Sequence, residues 1–210
     1  MNRYSSGARF YDILSGEALV YRAGRVLGVQ MLGLQPGDTV FDLGCGTGLN
    51  FPLLVDAVGP SGQVIGLDLS TDMLRMARFR IARHRWSNVR VIEGDATTFE
   101  TRAIRDAAEG PIDAVFATYA LSVIGGVTGD WRPAWQRMLD VLKPGGRAGV
   151  VDMQLPRGRG LIFAPLARAF CAAGGADLAA HPWTDLQMRA TDAVHRELFA
   201  GHIQAVAGTA

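Results

Sequence analysis

The residues best suited to chemistry are three glycines and an acidic residue at the end of a short apolar stretch. Val40-Phe41-Asp42-Leu43 leads directly into Gly44-Cys45-Gly46-Thr47-Gly48. Glycines allow a sharp turn and let a ligand approach the main chain, and free amides at a helix start favour an anionic group. The pattern predicts a strand, a ligand-binding glycine loop and a helix from about Leu49. The alternative is a strand-to-helix turn without a ligand.

The spacing of the loop distinguishes between ligands. A dinucleotide fingerprint requires G-x-G-x-x-G, whereas Gly48 gives this loop the spacing G-x-G-x-G. Asp42 suits a ligand with a cationic amino group and disfavours a diphosphate. Asp68 closes a second apolar stretch, where a carboxylate accepts the hydroxyls of a ribose, and Asp95 is placed to accept from an adenine amine. An amino acid, a ribose and an adenine together describe S-adenosylmethionine.

Five short apolar stretches alternate with patterns of helical period, and this alternation must position the loop and the carboxylates. The five predicted strands cover 38–43, 64–68, 89–92, 112–117 and 147–152. The predicted helices between them include 71–83 and 130–142, where apolar residues recur at helical spacing. Buried strands that alternate with amphipathic helices indicate a parallel sheet covered by helices on both faces.

The C-terminal part of the chain departs from this alternation. A helix at about 161–172 and a polar loop precede two further strands, 194–199 and 203–208. The connection between these strands is too short for a parallel crossover, so we predict an antiparallel hairpin. The expected fold is α/β and Rossmann-like, with a seven-stranded, mostly parallel sheet. A further helix is predicted over about 15–32.

Composition and charge indicate one globular domain without a nucleic-acid partner. The 210 residues are 49% hydrophobic and 20% charged, which is ordinary for a chain with one sizeable core. The formal net charge is +1, so there is no basic excess of the kind that nucleic-acid binding requires. Cys45 and Cys171 are far apart and fit neither a metal spacing nor a disulfide framework, so we expect no metal and a cytoplasmic location.

The chain resembles the class I S-adenosylmethionine-dependent methyltransferases from about Tyr11 to the C-terminal hairpin. Four motifs support the resemblance: the loop 42–48, Gly66-Leu67-Asp68-Leu69-Ser70 with Met73-Leu74, Gly94-Asp95-Ala96, and Leu142-Lys143-Pro144-Gly145-Gly146. The resemblance implies a methyltransferase domain at 35–210 and an N-terminal helical cap over the cofactor site at 1–34.

The same resemblance implies S-adenosylmethionine as cofactor and a set of residues that hold it. The implied cofactor-binding residues are Tyr11, Tyr21, Asp42, Gly44, Cys45, Gly46, Asp68, Leu69, Met73, Asp95, Ala96, Ala117 and Thr118. In such enzymes the first glycines lie against the methionine part, and Ala117 and Thr118 pass close to the sulfonium. Met73 either packs on the adenine or belongs to the core. The two tyrosines either close over the cofactor or serve as packing residues.

No residue of the sequence stands out as a general base for the acceptor. Tyr119 follows the fourth predicted strand and Asp152 ends the fifth. Both lie on the side where ligands bind in open α/β sheets, so they are the candidate catalytic residues. His202 is predicted to be a turn residue.

Within the family, Tyr11-Asp12 ahead of Tyr21-Arg22-Ala23-Gly24-Arg25 resembles the lipid-acting branch. That branch includes small phospholipid or betaine-lipid N-methyltransferases and ubiquinone/menaquinone C-methyltransferases. It implies a small-molecule or lipid acceptor, with N-methylation of an amino-lipid headgroup favoured. The Asn/Asp-Pro-Pro-aromatic motif of nucleobase-amine methyltransferases is absent at 117–121. Arg157 and Arg159 ahead of Leu161-Ile162-Phe163 suggest a peripheral contact with the inner face of a membrane, a cap over the active site or a dimer contact.

Three other functions remain open at this point, and the chain is expected to be a monomer or a homodimer. A dehydrogenase on a similar sheet is disfavoured by the loop spacing and by Asp42. A protein that binds S-adenosylmethionine without methyl transfer, as a sensor or a degenerate subunit, would share the same motifs. So would an aminocarboxypropyl transferase, which attacks a different carbon of the same cofactor.

Overall fold

The computed structural model describes residues 20–210, and its centre is one seven-stranded sheet. The strands are β1 (Thr39–Leu43), β2 (Gln63–Asp68), β3 (Val89–Glu93), β4 (Ile112–Thr118), β5 (Leu142–Met153), β6 (Val194–Leu198) and β7 (Ile203–Thr209). The helices are α1 (Arg22–Leu32), α2 (Phe51–Val58), α3 (Thr71–His84), α4 (Thr101–Ala108), α5 (Leu121–Thr128), α6 (Arg132–Val141), α7 (Ala164–Gly174) and α8 (Trp183–Arg189). A 3₁₀ helix at Gly158–Phe163 leads into α7.

The strand order confirms the predicted Rossmann-like sheet. The order is β3-β2-β1-β4-β5-β7-β6, and the five strands β1 to β5 are all parallel to one another. β7 runs antiparallel to both β5 and β6, so it is the one reversed strand that the short connection predicted. The first five strands therefore end at one common edge of the sheet, where open α/β sheets bind their ligands.

Two apolar layers cover the sheet, one on each face. Adjacent residues of a strand point to opposite faces, so Phe41 and Val40 of β1 enter different layers. The layer around Phe41 is completed by α4, α6 and α8, and the layer around Val40 by α1, α2 and α3. Burial on both sides explains why the central strands are continuously apolar rather than alternating.

The helices agree less closely with the sequence than the strands do. The helices α4, α5 and α8 were not predicted, and α8 lies in the segment that was expected to be a polar loop. The segment predicted as one helix at 161–172 begins instead as the 3₁₀ helix and becomes α-helical at Ala164. Pro165 lies in the first turn of α7, where its missing amide costs no hydrogen bond. Part of the predicted helix 15–32 lies outside the described residues.

The first described helix is fixed closely to the sheet. A Cβ atom built on Gly28 would lie 2.3 Å from Cγ2 of Val151, so α1 approaches β5 at a distance that only glycine permits. The described part of the predicted cap, 20–34, thus packs on the sheet, while the division into 1–34 and 35–210 stays a prediction. None of the helices within residues 20–210 has the length and apolar character needed to cross a membrane.

Candidate cofactor site

A cavity of about 260 Å³ opens at the edge where β1 to β4 end. Its walls come from the loops that follow these strands, from one residue of α1 and from one side of α5. The lining residues are Arg25, Gly44, Cys45, Gly46, Thr47, Leu49, Leu67, Asp68, Leu69, Ser70, Met73, Gly94, Asp95, Ala96, Thr118, Tyr119, Ala120, Val123, Ile124, Val127 and Thr128.

The glycine loop after β1 forms one wall of this cavity. Gly44, Gly46 and Gly48 have φ angles of 68°, 56° and 79°, a region that favours glycine. A Cβ atom on Gly44 would lie 2.5 Å from Cβ of Ala120, whereas one on Gly46 would meet nothing within 4 Å. The sequence predicted this turn, and the open space beside Gly46 is where a ligand can approach the main chain.

Asp68 fixes the loop and lines the cavity. One carboxylate oxygen accepts the amide proton of Gly46 at 2.9 Å, and the other accepts that of Ser70 at 2.9 Å. Partial burial raises the pKa of Asp68, while these backbone hydrogen bonds act in the opposite direction. A carboxylate offers about four lone-pair positions, so each oxygen can accept a further hydrogen bond from a ligand hydroxyl.

The loop after β3 contributes the second carboxylate of the cavity. Oδ1 of Asp95 accepts from the amide and the hydroxyl of Thr97, at 2.8 and 2.7 Å. Ala96 follows it on the wall, and the buried side chain of Met73 from α3 also lines the cavity. Met73 is therefore a core residue with one side on the cavity, and its contact with the adenine stays a prediction.

Asp42 lies behind the glycine loop rather than on the lining. Its side chain is fully buried, and Oδ1 accepts a hydrogen bond from the Asn50 amide at 2.8 Å. Oδ2 has no hydrogen-bond partner within the described part of the chain. Burial raises the pKa of Asp42 to about 7, although the Asn50 hydrogen bond and the Arg25 charge lower it. An orphaned buried oxygen at this point suits a cationic donor from a ligand.

Arg25 and Asn50 are functional-site residues that the sequence analysis did not single out. Arg25 lines the cavity from α1 and donates to Oδ1 of Asn50 at 3.0 Å. Asn50 in turn donates to Asp42 and, at 3.2 Å, to the hydroxyl of Thr118. These contacts join α1, the glycine loop and the end of β4 beneath the cavity. The segment Tyr21–Arg25 was noted as a pattern, but no spacing rule connects it with residue 50.

Tyr119 lines the cavity, and its catalytic role stays a prediction. Its hydroxyl donates to the main-chain oxygen of Tyr21 at 2.9 Å, and the two rings meet edge to face with centroids 4.9 Å apart. The guanidinium of Arg25 lies 5.1 Å from the Tyr119 ring centroid. Tyr21 itself is not among the lining residues; its hydroxyl lies 3.5 Å from Nε2 of His202, a buried turn residue.

Asp152 occupies a different position from the one expected of a catalytic group. The side chain is fully buried and does not line the cavity. Its carboxylate accepts from the amide of Ser122 at 2.9 Å, from the Ser122 hydroxyl and from the amide of Met153. Burial raises the pKa of Asp152 to about 6, and the hydrogen bonds lower it. Asp152 therefore anchors the first turn of α5 to the end of β5.

The remaining residues predicted from the sequence either line the cavity, lie beneath it, or fall outside the described part of the chain. The cavity brings together Gly44, Cys45, Gly46, Asp68, Leu69, Met73, Asp95, Ala96, Thr118 and Tyr119. Ala117 is buried in the core beneath it, and Tyr11 lies outside the described residues. The α5 wall, with Val123, Ile124 and Val127, was missed because its Gly125-Gly126 pair obscures the helical pattern.

The donor set fits a nucleoside that carries an amino acid. Two carboxylates at neighbouring strand ends can accept from ligand hydroxyls. The open face of the glycine loop can contact the ligand through the main chain, and the unpartnered oxygen of Asp42 can accept from an amino group. Within residues 20–210, no group of three or more His, Cys, Asp or Glu side chains is arranged to hold a metal ion.

Comparison with known proteins decides the family. A family model described as a methyltransferase domain matches residues 40–146, which is just over half of the chain. The chain belongs to the class I S-adenosylmethionine-dependent methyltransferases. The matched region contains the glycine loop, both cavity carboxylates and Tyr119, so the predicted family and the predicted cofactor are confirmed.

Individual relatives differ in what they act on. A demethylmenaquinone methyltransferase of Lactococcus lactis is 32% identical over 61% of this chain and 47% of its own length. An arsenite methyltransferase of Halobacterium salinarum is 31% identical over 57% of this chain and 28% of its own. The chain thus spans about half, or less, of these relatives' lengths.

Among solved structures, a similar fold is found in a methyltransferase from Aquifex aeolicus described as dependent on S-adenosylmethionine. Its TM-score is 0.60 at 17% identity, and the match covers 93% of this chain and 96% of that one. At this level of identity the likeness concerns the fold alone, and it extends the agreement beyond residue 146 to the C-terminal hairpin.

Replacement of Gly46 tests whether the open face of the glycine loop of this methyltransferase is a ligand contact. Gly46→Ala places a methyl group in the cavity without touching protein atoms, whereas Gly145→Ala meets open space elsewhere at a similar φ of 70°. Both variants should lose about 1–2 kcal/mol of unfolding free energy, because L residues disfavour the left-handed region. Calorimetry should show weakened binding of S-adenosylmethionine for Gly46→Ala alone, and equal affinities would contradict the assignment.

Removal of the Asp68 carboxylate tests its predicted contact with the ribose. Asp68→Ala should weaken binding of S-adenosylmethionine by about 1–3 kcal/mol, because ligand hydroxyls lose their acceptor. The matched control is Glu93→Ala, since Glu93 sits opposite Asp68 in the register with β3 and does not line the cavity. An unchanged affinity for Asp68→Ala would exclude the residue from the site.

The pH dependence of stability tests the burial of Asp42. Its folded-state pKa of about 7 lies above the ordinary value of 3.8, so its contribution to stability is complete below pH 3.8 and is lost as the pH rises through 7. At about 1.4 kcal/mol per pH unit, the interval corresponds to roughly 4 kcal/mol. In denaturant unfolding, the free energy of unfolding of Asp42→Asn should therefore increase relative to that of the wild type between pH 4 and pH 8. A difference independent of pH would show that Asp42 is not buried as described.

Proposed function

We propose that the chain is an enzyme that transfers a methyl group from S-adenosylmethionine to a small-molecule or lipid acceptor. The main support is that one cavity has two different walls, of which the glycine loop, Asp68 and Asp95 form the first. Tyr119 and the apolar side of α5 form the other. One wall thus offers the contacts that the cofactor needs, and the facing wall leaves room for an acceptor.

The cofactor wall assigns a contact to each part of the ligand. Asp68 accepts the ribose hydroxyls, and Asp95 with Ala96 borders the adenine. Gly44 and Gly46 border the methionine part. Arg25 is the cation among the described residues that line the cavity, so it faces the carboxylate end. Oδ2 of Asp42, which has no hydrogen-bond partner among the described residues, accepts from the amino group. When bound, S-adenosylmethionine supplies an electrophilic methyl group on its sulfonium.

The acceptor wall orients its ligand and excludes water. Val123, Ile124 and Val127 present apolar side chains to the cavity, which removes water from the reacting groups. Tyr119 lines this wall, and the hydrogen bond from its hydroxyl to the main-chain oxygen of Tyr21 fixes the position of its ring beside the acceptor. Correct orientation alone supplies up to about 7–11 kcal/mol in reactions of this kind. We therefore propose Tyr119 as the acceptor-side catalytic residue.

The finer proposal is N-methylation of an amino-lipid headgroup at the cytoplasmic face of a membrane. The rim of the cavity is apolar on both sides, since Leu69 and Val127 are each 66% exposed although both line it. An apolar rim suits an acceptor that is attached to hydrocarbon. Two free buried thiols, Cys45 and Cys171, suit a reducing compartment. Residues 1–34 are proposed to cap the site, because their described part already contributes Arg25 to the wall.

The by-product of the reaction distinguishes this function from its alternatives. The purified chain is incubated with methyl-labelled S-adenosylmethionine and dispersed lipids with primary amine headgroups, and both products are identified by mass spectrometry. Methyl transfer yields S-adenosylhomocysteine and a labelled lipid, whereas aminocarboxypropyl transfer leaves labelled methylthioadenosine. Binding of the cofactor without either product would favour a sensor or a degenerate subunit. Gly145→Ala is the active control, and Asp68→Ala should lose turnover.

A further inference from the structure

We propose that an apolar ridge beside the cavity docks the protein on an anionic lipid bilayer. The ridge consists of Leu161, Ile162 and Phe163 of the 3₁₀ helix, Leu166 of α7, and Phe199 between β6 and β7. The proposal rests on the proposed function for its purpose, because a lipid acceptor has to be taken from such a surface. It names the partner as a bilayer with negatively charged headgroups.

The ridge brings five exposed apolar side chains together on one surface. Ile162 is 76% exposed, and the other four side chains are between 47% and 61% exposed. Four of the five follow one another within six positions of the chain. Contiguous apolar surface of this kind is uncommon on soluble domains and marks protein or membrane contacts.

The connection between β6 and β7 joins the ridge through direct contacts. The amide of Arg157 donates to the carbonyl of Ala200 at 2.8 Å. A Cβ atom on Gly160 would lie 2.6 Å from Cβ of Ala200, so the 3₁₀ helix presses closely on the turn. Phe199 is therefore held beside the 3₁₀ helix rather than on a separate projection.

The turn that presents Phe199 is strained. Phe199 and Ala200 have φ angles of 53° and 54°, a conformation that bulky L residues rarely adopt. Buried hydrogen bonds hold the turn in place. The main-chain amide of Gln154 donates to the carbonyl oxygen of His202 at 2.9 Å, and the side-chain amide of Gln154 donates to the carbonyl oxygen of Gly201 at 3.0 Å. Local strain is typically kept where it has a function, and here it keeps an aromatic ring in solvent.

Positive charge flanks the ridge. Arg157, Arg159 and Arg168 are exposed, and the sequence has no Asp or Glu between Met153 and Ala176. Arg157 lies 3.8 Å from Glu197, but both side chains are exposed and such pairs are weak. Apolar residues bordered by arginines are the pattern of a surface that binds at the interface of anionic membranes. A neutral or cationic partner would gain nothing from these charges.

The ridge lies at the same edge of the sheet as the cavity. The 3₁₀ helix follows the carboxyl end of β5, which is parallel to β4 and β1. Because β7 is antiparallel to both β5 and β6, the carboxyl end of β6 and Phe199 lie at this edge too. A bilayer in contact with the ridge therefore faces the edge at which the cavity opens.

Vesicle binding by the full chain tests the ridge. Phosphatidylcholine vesicles with and without phosphatidylglycerol are mixed with the protein and separated by flotation. The wild type should bind the anionic vesicles and release them at high salt. Ile162→Ser with Phe163→Ser should bind at least tenfold more weakly, because burial of even one such apolar side chain in the bilayer contributes about a factor of ten or more. The matched control is Phe79→Ser with Met188→Ser, which removes two equally exposed apolar side chains elsewhere and should bind like the wild type.

Three results would overturn the docking proposal. They are an absence of binding to any vesicle, equal binding by the ridge variant and the wild type, and self-association in light scattering that only the ridge variant loses. The last result would identify a second copy of the chain as the occupant. Calorimetric binding of S-adenosylmethionine should be unchanged in the ridge variant, which shows that it is folded. Vesicle binding without methyl transfer would leave the ridge intact and overturn the proposed function alone.

Discussion

The hydrogen bond from the Gly46 amide to the Asp68 carboxylate fixes the geometry on which the rest of the site depends. It joins the loop after β1 to the end of β2, and the neighbouring bond from Cys45 to Leu67 holds the same two segments together. The loop can follow this path only because its glycines adopt positive φ angles. One carboxylate thus shapes the turn beside the cavity and is also the group proposed to accept the ribose hydroxyls.

Buried carboxylates serve two separate purposes around this loop. Within the described residues, one oxygen of Asp42 has no hydrogen-bond partner, whereas both oxygens of Asp152 accept from the protein and anchor α5 to β5. Burial raises the pKa of both, so the shift by itself does not distinguish a functional group from a structural one. The hydrogen-bond partners make the distinction, because both oxygens of Asp152 are held by protein donors while one oxygen of Asp42 is not.

The sequence predicted what is local and regular, and missed what depends on distant contacts. The strands, the reversed β7 and the turn at Gly44 follow from short patterns of apolar residues and glycine. Arg25 reaches the cavity only because α1 packs at glycine-limited distance on β5, which no spacing along the chain reveals. The expectation for Asp152 was reasonable for the end of β5, but the partner that occupies its carboxylate lies thirty positions away on a helix that the pattern had not shown.

The attachment of α5 has a consequence for how proteins of this kind diverge. The helix carries the wall opposite the cofactor, and Asp152 secures its first turn through the main chain and the Ser122 hydroxyl rather than through the side chains that face the cavity. The side chains of Val123 and Val127 take no part in this anchor, whereas Ile124 also packs against the core. The wall proposed to contact the acceptor can therefore change in sequence while the glycine loop and its carboxylates stay the same.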